Sequence, residues 1–234
     1  MTSQRGNILF LILLAVVLFA ALAYAVTSSM RGGGQDASKE SMQAAAAEIL
    51  NYATMIEQTV VRLKLVNNCK LPEISFENSR VSGYTNNTAP RADKSCNVFD
   101  VNGGGMAWKS GDVKWLDTSR EGSTDYGSFT FPSNVVVNGL GVFVPSTAAE
   151  SKTLIVGLKY LTKPLCDTIN AQFGYTTNDT PIGVAVAGDG AKYRGTFVSP
   201  GFYNGGGNTN GKRTACINGA GGYTFYHVLD VQGF

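Results

Sequence analysis

The chain has 234 residues, a formal net charge of +2, four cysteines and one histidine. That length suits an anchor segment plus one or two small domains. Near-balanced charge without a basic cluster argues against nucleic acid as the main partner. Glycine is frequent, at 28 residues, and only 15 % of residues are charged. With many Thr, Asn and Val, this points to a loop-rich β domain and not a disordered tail.

Ile8 to Val26 is a run of nineteen apolar residues without charge. As a helix it spans about 28 Å, close to the hydrocarbon core of a bilayer. A short leader, MTSQRG, precedes it and carries one positive charge, Arg5. Three fates fit this N-terminus. Ala23-Tyr24-Ala25 offers a small-x-small signal-peptidase site. The run can stay uncleaved as a single-span anchor. A cut after Gly6 would leave Asn7 as the first mature residue, with the apolar run retained as the first half of a long helix.

Thr27 to Gly34 reads as a break, because Gly32 to Gly34 each cost about 1 kcal/mol in a helix interior relative to Ala. A hinge is expected there, separating helices over 7–31 and 32–68. From Gln35 to Val66 a second helical pattern follows. Met42, Ala45, Ala46, Ile49, Tyr52, Ala53, Ile56, Val60 and Leu63 recur at steps of three and four. Glu48, Glu57, Arg62 and Lys64 fall on the opposite, polar face. Asn67 and Asn68 end the pattern.

Helical periodicity is lost after Cys69. Short strands are expected at 73–77, 97–101, 105–109, 112–116, 128–131 and 134–144, with loops at Asn86-Asn87 and Asn102 to Gly105. Asp100 to Gly103 faintly resembles part of a calcium loop but lacks the remaining ligands, so a plain turn is expected. Thr153 to Tyr160 is a buried strand. Thr162 then caps a helix with Pro164 in its first turn, and Gly174 stops it. Leu165, Cys166, Ile169 and Phe173 form that helix's apolar face. A hairpin over 182–198 turns at Asp189-Gly190. A Gly/Asn loop, Asn204 to Gly211, leads to a closing hairpin, 214–217 and 223–229, turned at Asn218-Gly219.

Chemistry-bearing residues are few. His227 is placed by alternation on the same face as Phe225 and Leu229, as a partly buried, hydrogen-bonded histidine and not a base. No nucleophile elbow, phosphate loop or metal-ligand cluster occurs, so no enzyme, metal or cofactor is expected. Trp108 and Trp115, with Lys109 and Lys114 nearby, are either core residues or an exposed aromatic surface for a glycan. The loop from Phe202 to Gly211, with Asn204 and Asn208, is a candidate contact surface. Cys69, Cys96, Cys166 and Cys216 allow three pairings, and in an exported chain they are expected as two disulfides.

The layout resembles a type IV pilin, nearest to type IVb pilins and to minor pilins or pseudopilins. The resemblance lies in the leader ending Arg5-Gly6, the apolar helix from Asn7, its amphipathic continuation and the β-rich C-terminal part. It is closest in the tail, where KPLCDTINAQFG and ACINGAGGYTFYHV match a helix cysteine and a closing-strand cysteine that bracket a variable region. This implies an α+β fold in which a long N-terminal helix packs on a C-terminal antiparallel sheet, with residues 69–234 as a disulfide-stabilised domain. It implies that Cys166 and Cys216 are the bracketing pair; of the three pairings, Cys69 with Cys96 and Cys166 with Cys216 is the one expected. It also implies processing at Gly6 and Asn7 by a prepilin peptidase, insertion in a bacterial inner membrane, an assembly platform, and other pilin subunits as partners in an extracellular or periplasmic filament. Where most pilins carry glutamate at the fifth mature residue, this chain has Leu11, which points to a minor or tip subunit. Asn7 replaces the usual Phe or Met. The alternative is a secreted or anchored adhesin-like domain that does not polymerise.

Overall fold

The computed structural model describes residues 5–133, 135–137, 140, 153–175, 192–197, 201–203, 211–219 and 222–231; within these, the side chains of 5–9, 25–37, 136 and 201–203 are not described. The chain divides into two units, Met1–Ala44 and Ala45–Phe234. The fold is α+β, with an N-terminal helix and a four-stranded antiparallel sheet.

Helix α1 runs Arg5–Val66, 62 residues without a break. The interruption expected at Gly32 to Gly34 is therefore not present. Three glycines cost about 3 kcal/mol of helix propensity, but a break would leave two more sets of unpaired backbone groups, four at each new end. In the first unit, every side chain from Phe10 to Tyr24 is exposed. Among the described residues no helix is long and apolar enough to cross a membrane; the described side chains cover only part of the run Ile8 to Val26.

In the second unit, α1 buries the stripe its spacing calls for. Ala46, Ile49, Ala53, Ile56, Val60 and Leu63 are fully buried. Burying each Ile, Val or Leu contributes about 1.5–3 kcal/mol. The stripe lies against a sheet of order β1-β3-β6-β5, made of β1 (Phe129–Thr130), β3 (Thr153–Leu161), β5 (Thr214–Gly219) and β6 (Gly222–Val231). Tyr52 of α1 packs on Phe129 of β1 with ring centroids 4.6 Å apart. Lys64 reaches Asp230 of β6 at 2.6 Å. Ile155, Tyr226, Val228, Ala215 and Ile217 pack with Val135 and Val137 of β2 (Val135–Val137). On β6, Tyr226 and Val228 of this cluster flank His227, which meets Glu57 of α1, so both faces of the sheet are covered there. Strand β2 pairs in parallel with β4 (Gly201–Tyr203).

Helix α2 (Lys163–Gln172) starts after Thr162 as expected, with a proline in its first turn, and Gly174 follows at φ +73°, but the Thr162 hydroxyl makes no capping hydrogen bond. Its buried face is Leu165, Cys166, Ile169 and Asn170, while Phe173 is 42 % exposed. Asn170 thus takes the place expected for Phe173. The closing hairpin is longer than expected: Asn218 pairs with Tyr223 and Gly219 with Gly222. The turn is therefore not at Asn218-Gly219, and the two linking residues lie outside the described ones. So do most of the expected 182–198 hairpin and residues 141–144.

From 71 to 128 the expected strands are absent. Single turns of 3₁₀ helix occur at Leu71–Glu73, Val113–Trp115 and Thr118–Arg120, and isolated bridges pair Ser75 with Asn97, Ser110 with Ser128 and Leu116 with Leu161. Side chains hold this stretch instead. Asn78, Asn86, Asn97, Asp100 and Asp112 each accept from the backbone N–H two residues on, the Asx turn that offers an irregular chain its own hydrogen bonds. Asp100 does so at the loop resembling a calcium site. Phe76 stacks on Phe131 with centroids 4.0 Å apart, and Tyr84 meets Phe131 edge-on. The disulfide Cys69–Cys96 staples the stretch to the end of α1.

Gly104 lets this stretch run close under α1. A Cβ on Gly104 would lie 2.1 Å from the Val98 carbonyl oxygen and 2.7 Å from Thr59 Cγ2, while Arg62 donates to the Gly104 carbonyl at 2.6 Å. Gly105, at φ +65°, has open space around its Cβ position. Gly104→Ala is expected to destabilise the chain by about 1–3 kcal/mol through overpacking, and Gly105→Ala by about 1 kcal/mol through backbone strain alone. Urea denaturation of the two variants checks the order.

Candidate functional site

Trp115 is only 2 % exposed, one face of its ring meeting Lys109 Nζ at 5.9 Å from the centroid. It is a core residue and not the surface aromatic of a glycan platform. It sits on a short 3₁₀ turn capped by Asp112, whose carboxylate accepts from the Lys114 N–H. Trp108 is half-buried and packs edge-on against Phe99 and Phe131. Lys109 is held by Glu48 of α1. The two tryptophans thus stabilise the loops. Asn204 and Asn208 lie outside the described residues. Gly6 and Asn7 lie in the backbone of α1.

Cys166 and Cys216 are bonded, their Cα atoms 5.3 Å apart, which ties α2 to the edge strand β5. Asn170, one turn after Cys166 on the same face, completes the join. Its amide nitrogen donates to the Cys216 carbonyl at 2.8 Å, and its amide oxygen accepts from the Cys216 N–H at 2.8 Å. One side-chain amide therefore does what a neighbouring strand would do for β5, and it covers an edge otherwise open to pairing with another chain. The four-residue spacing from Cys166 to Asn170 carried that signal.

A cleft of about 90 Å³ opens beside Cys96, between Glu73, Glu77, Asn86, Arg91 and Lys94. Arg91 binds Glu73 through both Nε and Nη2 at 3.0 Å. That pairing holds the Glu73 carboxyl below the usual carboxylate range. Asn86 is spent on the carbonyls of Pro72 and Ile74 and on the Thr88 N–H. The cleft's polar groups mostly bind one another.

The most concentrated polar cluster joins α1 to the sheet. Glu57 had been expected on the solvent face of α1. Instead its Oε2 lies 2.9 Å from His227 Nε2 on β6, and its Oε1 accepts from Arg213 Nη2 at 2.7 Å. His227 Nδ1 lies 2.7 Å from the hydroxyl oxygen of Thr214 on β5, its cross-strand partner. His227 is 8 % exposed and Thr214 7 %. Burial pushes the imidazole below its ordinary pKa, against the opposing pull of Glu57. A carboxylate only accepts, so Nε2 carries the ring hydrogen and Nδ1 receives the Thr214 hydroxyl. Both ring nitrogens are occupied, and the histidine acts as a connector in the fold. Glu57, Thr214, Arg213 and Asn170 were not singled out from the sequence. Glu57 and His227 are separated by 170 residues, and nothing local marks such a pair. Among the described residues, no group of three or more His, Cys, Asp or Glu side chains is placed to hold a metal ion.

Asn170→Ala would leave the buried N–H and C=O of Cys216 without partners, a loss of about 2–6 kcal/mol at 1–3 kcal/mol per orphaned group. Chemical denaturation under oxidising conditions, with the disulfide intact, is the check. Compared with known proteins, the chain matches no family model, no curated protein and no solved structure.

Proposed function

We propose that the chain is a structural subunit of a type IV pilus-like or pseudopilus filament, minor or tip-located. One observation carries this reading: a single helix exposes every side chain from Phe10 to Tyr24 and, further along, buries a regular stripe from Ala45 to Leu63. Phe10, Leu13, Val16, Leu18, Phe19 and Leu22 are each more than 60 % exposed. A contiguous apolar surface of that size on a lone chain calls for a partner. A lipid bilayer covers it before assembly, on the strength of the nineteen-residue run Ile8 to Val26. The same segments of neighbouring subunits cover it afterwards, in a head-to-tail, non-closing association. The inner membrane, a prepilin peptidase and an assembly platform are the partners this reading requires, and the sequence resemblance is what supports them. The lack of any acid between Phe10 and Tyr24, with Leu11 at the fifth mature position, supports a minor place in the filament. The β-rich domain would then face outward.

Intact mass and N-terminal peptide identification on protein from its native cells test the reading. The expected mature chain begins at Asn7 and keeps the apolar run. A chain beginning at Val26 would overturn it and leave a secreted binding domain.

A further inference from the structure

His227 is the only histidine in the chain, and histidine is the side chain whose ordinary titration falls between pH 5 and 8. It sits in the seam between α1 and the β5–β6 hairpin. Its hydrogen bonds fit one protonation state. With Nε2–H given to Glu57 and Nδ1 accepting from Thr214, the neutral ring is satisfied at both nitrogens. A second proton, on Nδ1, would set two hydrogens against each other between Nδ1 and the Thr214 oxygen. The hydroxyl would have to turn its hydrogen elsewhere, yet Thr214 is 7 % exposed.

The surrounding charges do not favour an imidazolium. On α1, Glu57 is already bound by Arg213 of the β5 approach, and that guanidinium repels a second cation. About two turns along α1, Lys64 occupies Asp230 of β6. Among the described residues, Glu57 and Asp230 thus each already have a cation.

We propose that Glu57, His227 and Thr214 form a pH-sensitive latch, closed when His227 is neutral, that fastens α1 to the sheet and is released by acid. This inference stands on the cluster alone and does not depend on the filament reading. An unfolded imidazole takes up its proton near pH 6.5, and the buried one does so only at lower pH. The latch's contribution is therefore complete above about pH 6.5 and is lost as pH falls from there through the lower folded value.

The full chain in detergent micelles provides the test. Because there is one histidine, its ring C–H signals in an NMR titration need no assignment. The expected result is a ring that stays neutral below the ordinary value, together with a Tm that drops by about 3 °C more than in His227→Gln between about pH 7.5 and about pH 5.5. Thr214→Val, which removes the hydroxyl and keeps the shape, should move the ring's titration back toward the ordinary value. A ring that titrates at its ordinary value in the unmodified chain would overturn the latch, with or without a folded variant. So would an equal loss of Tm in His227→Gln.

Discussion

The apolar stripe of α1 from Ala45 to Leu63 is the constraint on which the rest of the domain depends. The sheet it covers is small. Its edge strand β1 has two residues, and one central strand, β3, breaks register twice against β6. Between α1 and β1 lies a stretch of more than fifty residues without a regular strand. A chain built this way cannot rest on sheet hydrogen bonds alone. It gains a core because one long helix presents Ile49, Ile56, Val60 and Leu63 in line, all fully buried. Around that stripe, polar side chains fix position: Tyr52 at the Ala107 carbonyl and the Lys109 N–H, Arg62 at Gly104, Glu57 at His227 and Lys64 at Asp230.

The two disulfides act where the core is thinnest. Cys69–Cys96 closes the start of the irregular stretch, and Cys166–Cys216 ties α2 to β5. With sequence separations of 27 and 50, the chain-entropy model gives roughly 3.5–4 kcal/mol for each. That is a large part of a typical net stability of about 5–15 kcal/mol. Asn170 adds a different protection. By bonding the outward N–H and C=O of Cys216 it blunts the β5 edge, so the sheet ends there.

Elements with long or repeated signals were legible in the sequence. The three-and-four spacing of α1's stripe, the apolar run of β3, the proline-started α2 and the paired runs of the closing hairpin each appear where their patterns place them. Both disulfide pairs are those expected, although only Cys166–Cys216 followed from the resemblance. The stretch from Leu71 to Ser128 was misjudged as strands for a physical reason. Short alternations of apolar and polar residues are shared by strands and by irregular chain that buries every second or third side chain. What separates the two is the Asn and Asp residues at Asn78, Asn86, Asn97 and Asp112, whose carboxamides and carboxylates bond the backbone two residues on. Glycines misled in the opposite direction at Gly32 to Gly34. Their local cost is real, but it is small beside a helix continuous on both sides. The Glu57–His227 contact was not legible at all, since the helix pattern taken alone puts Glu57 on the polar face. Only the tertiary fold brings β6 beside it.

The chain thus divides its labour along one helix, with one part making a core and another leaving an apolar surface uncovered. The most direct test is native-state hydrogen exchange of the full chain in micelles. If the stripe organises the domain, amides from Ala46 to Leu63 will exchange in the same slowest class as those of β3 and β6, opening only with the whole domain. Exchange of the Ala46 to Leu63 amides well ahead of β3 and β6 would contradict the account. It would mean that the sheet and its disulfides stand without the helix.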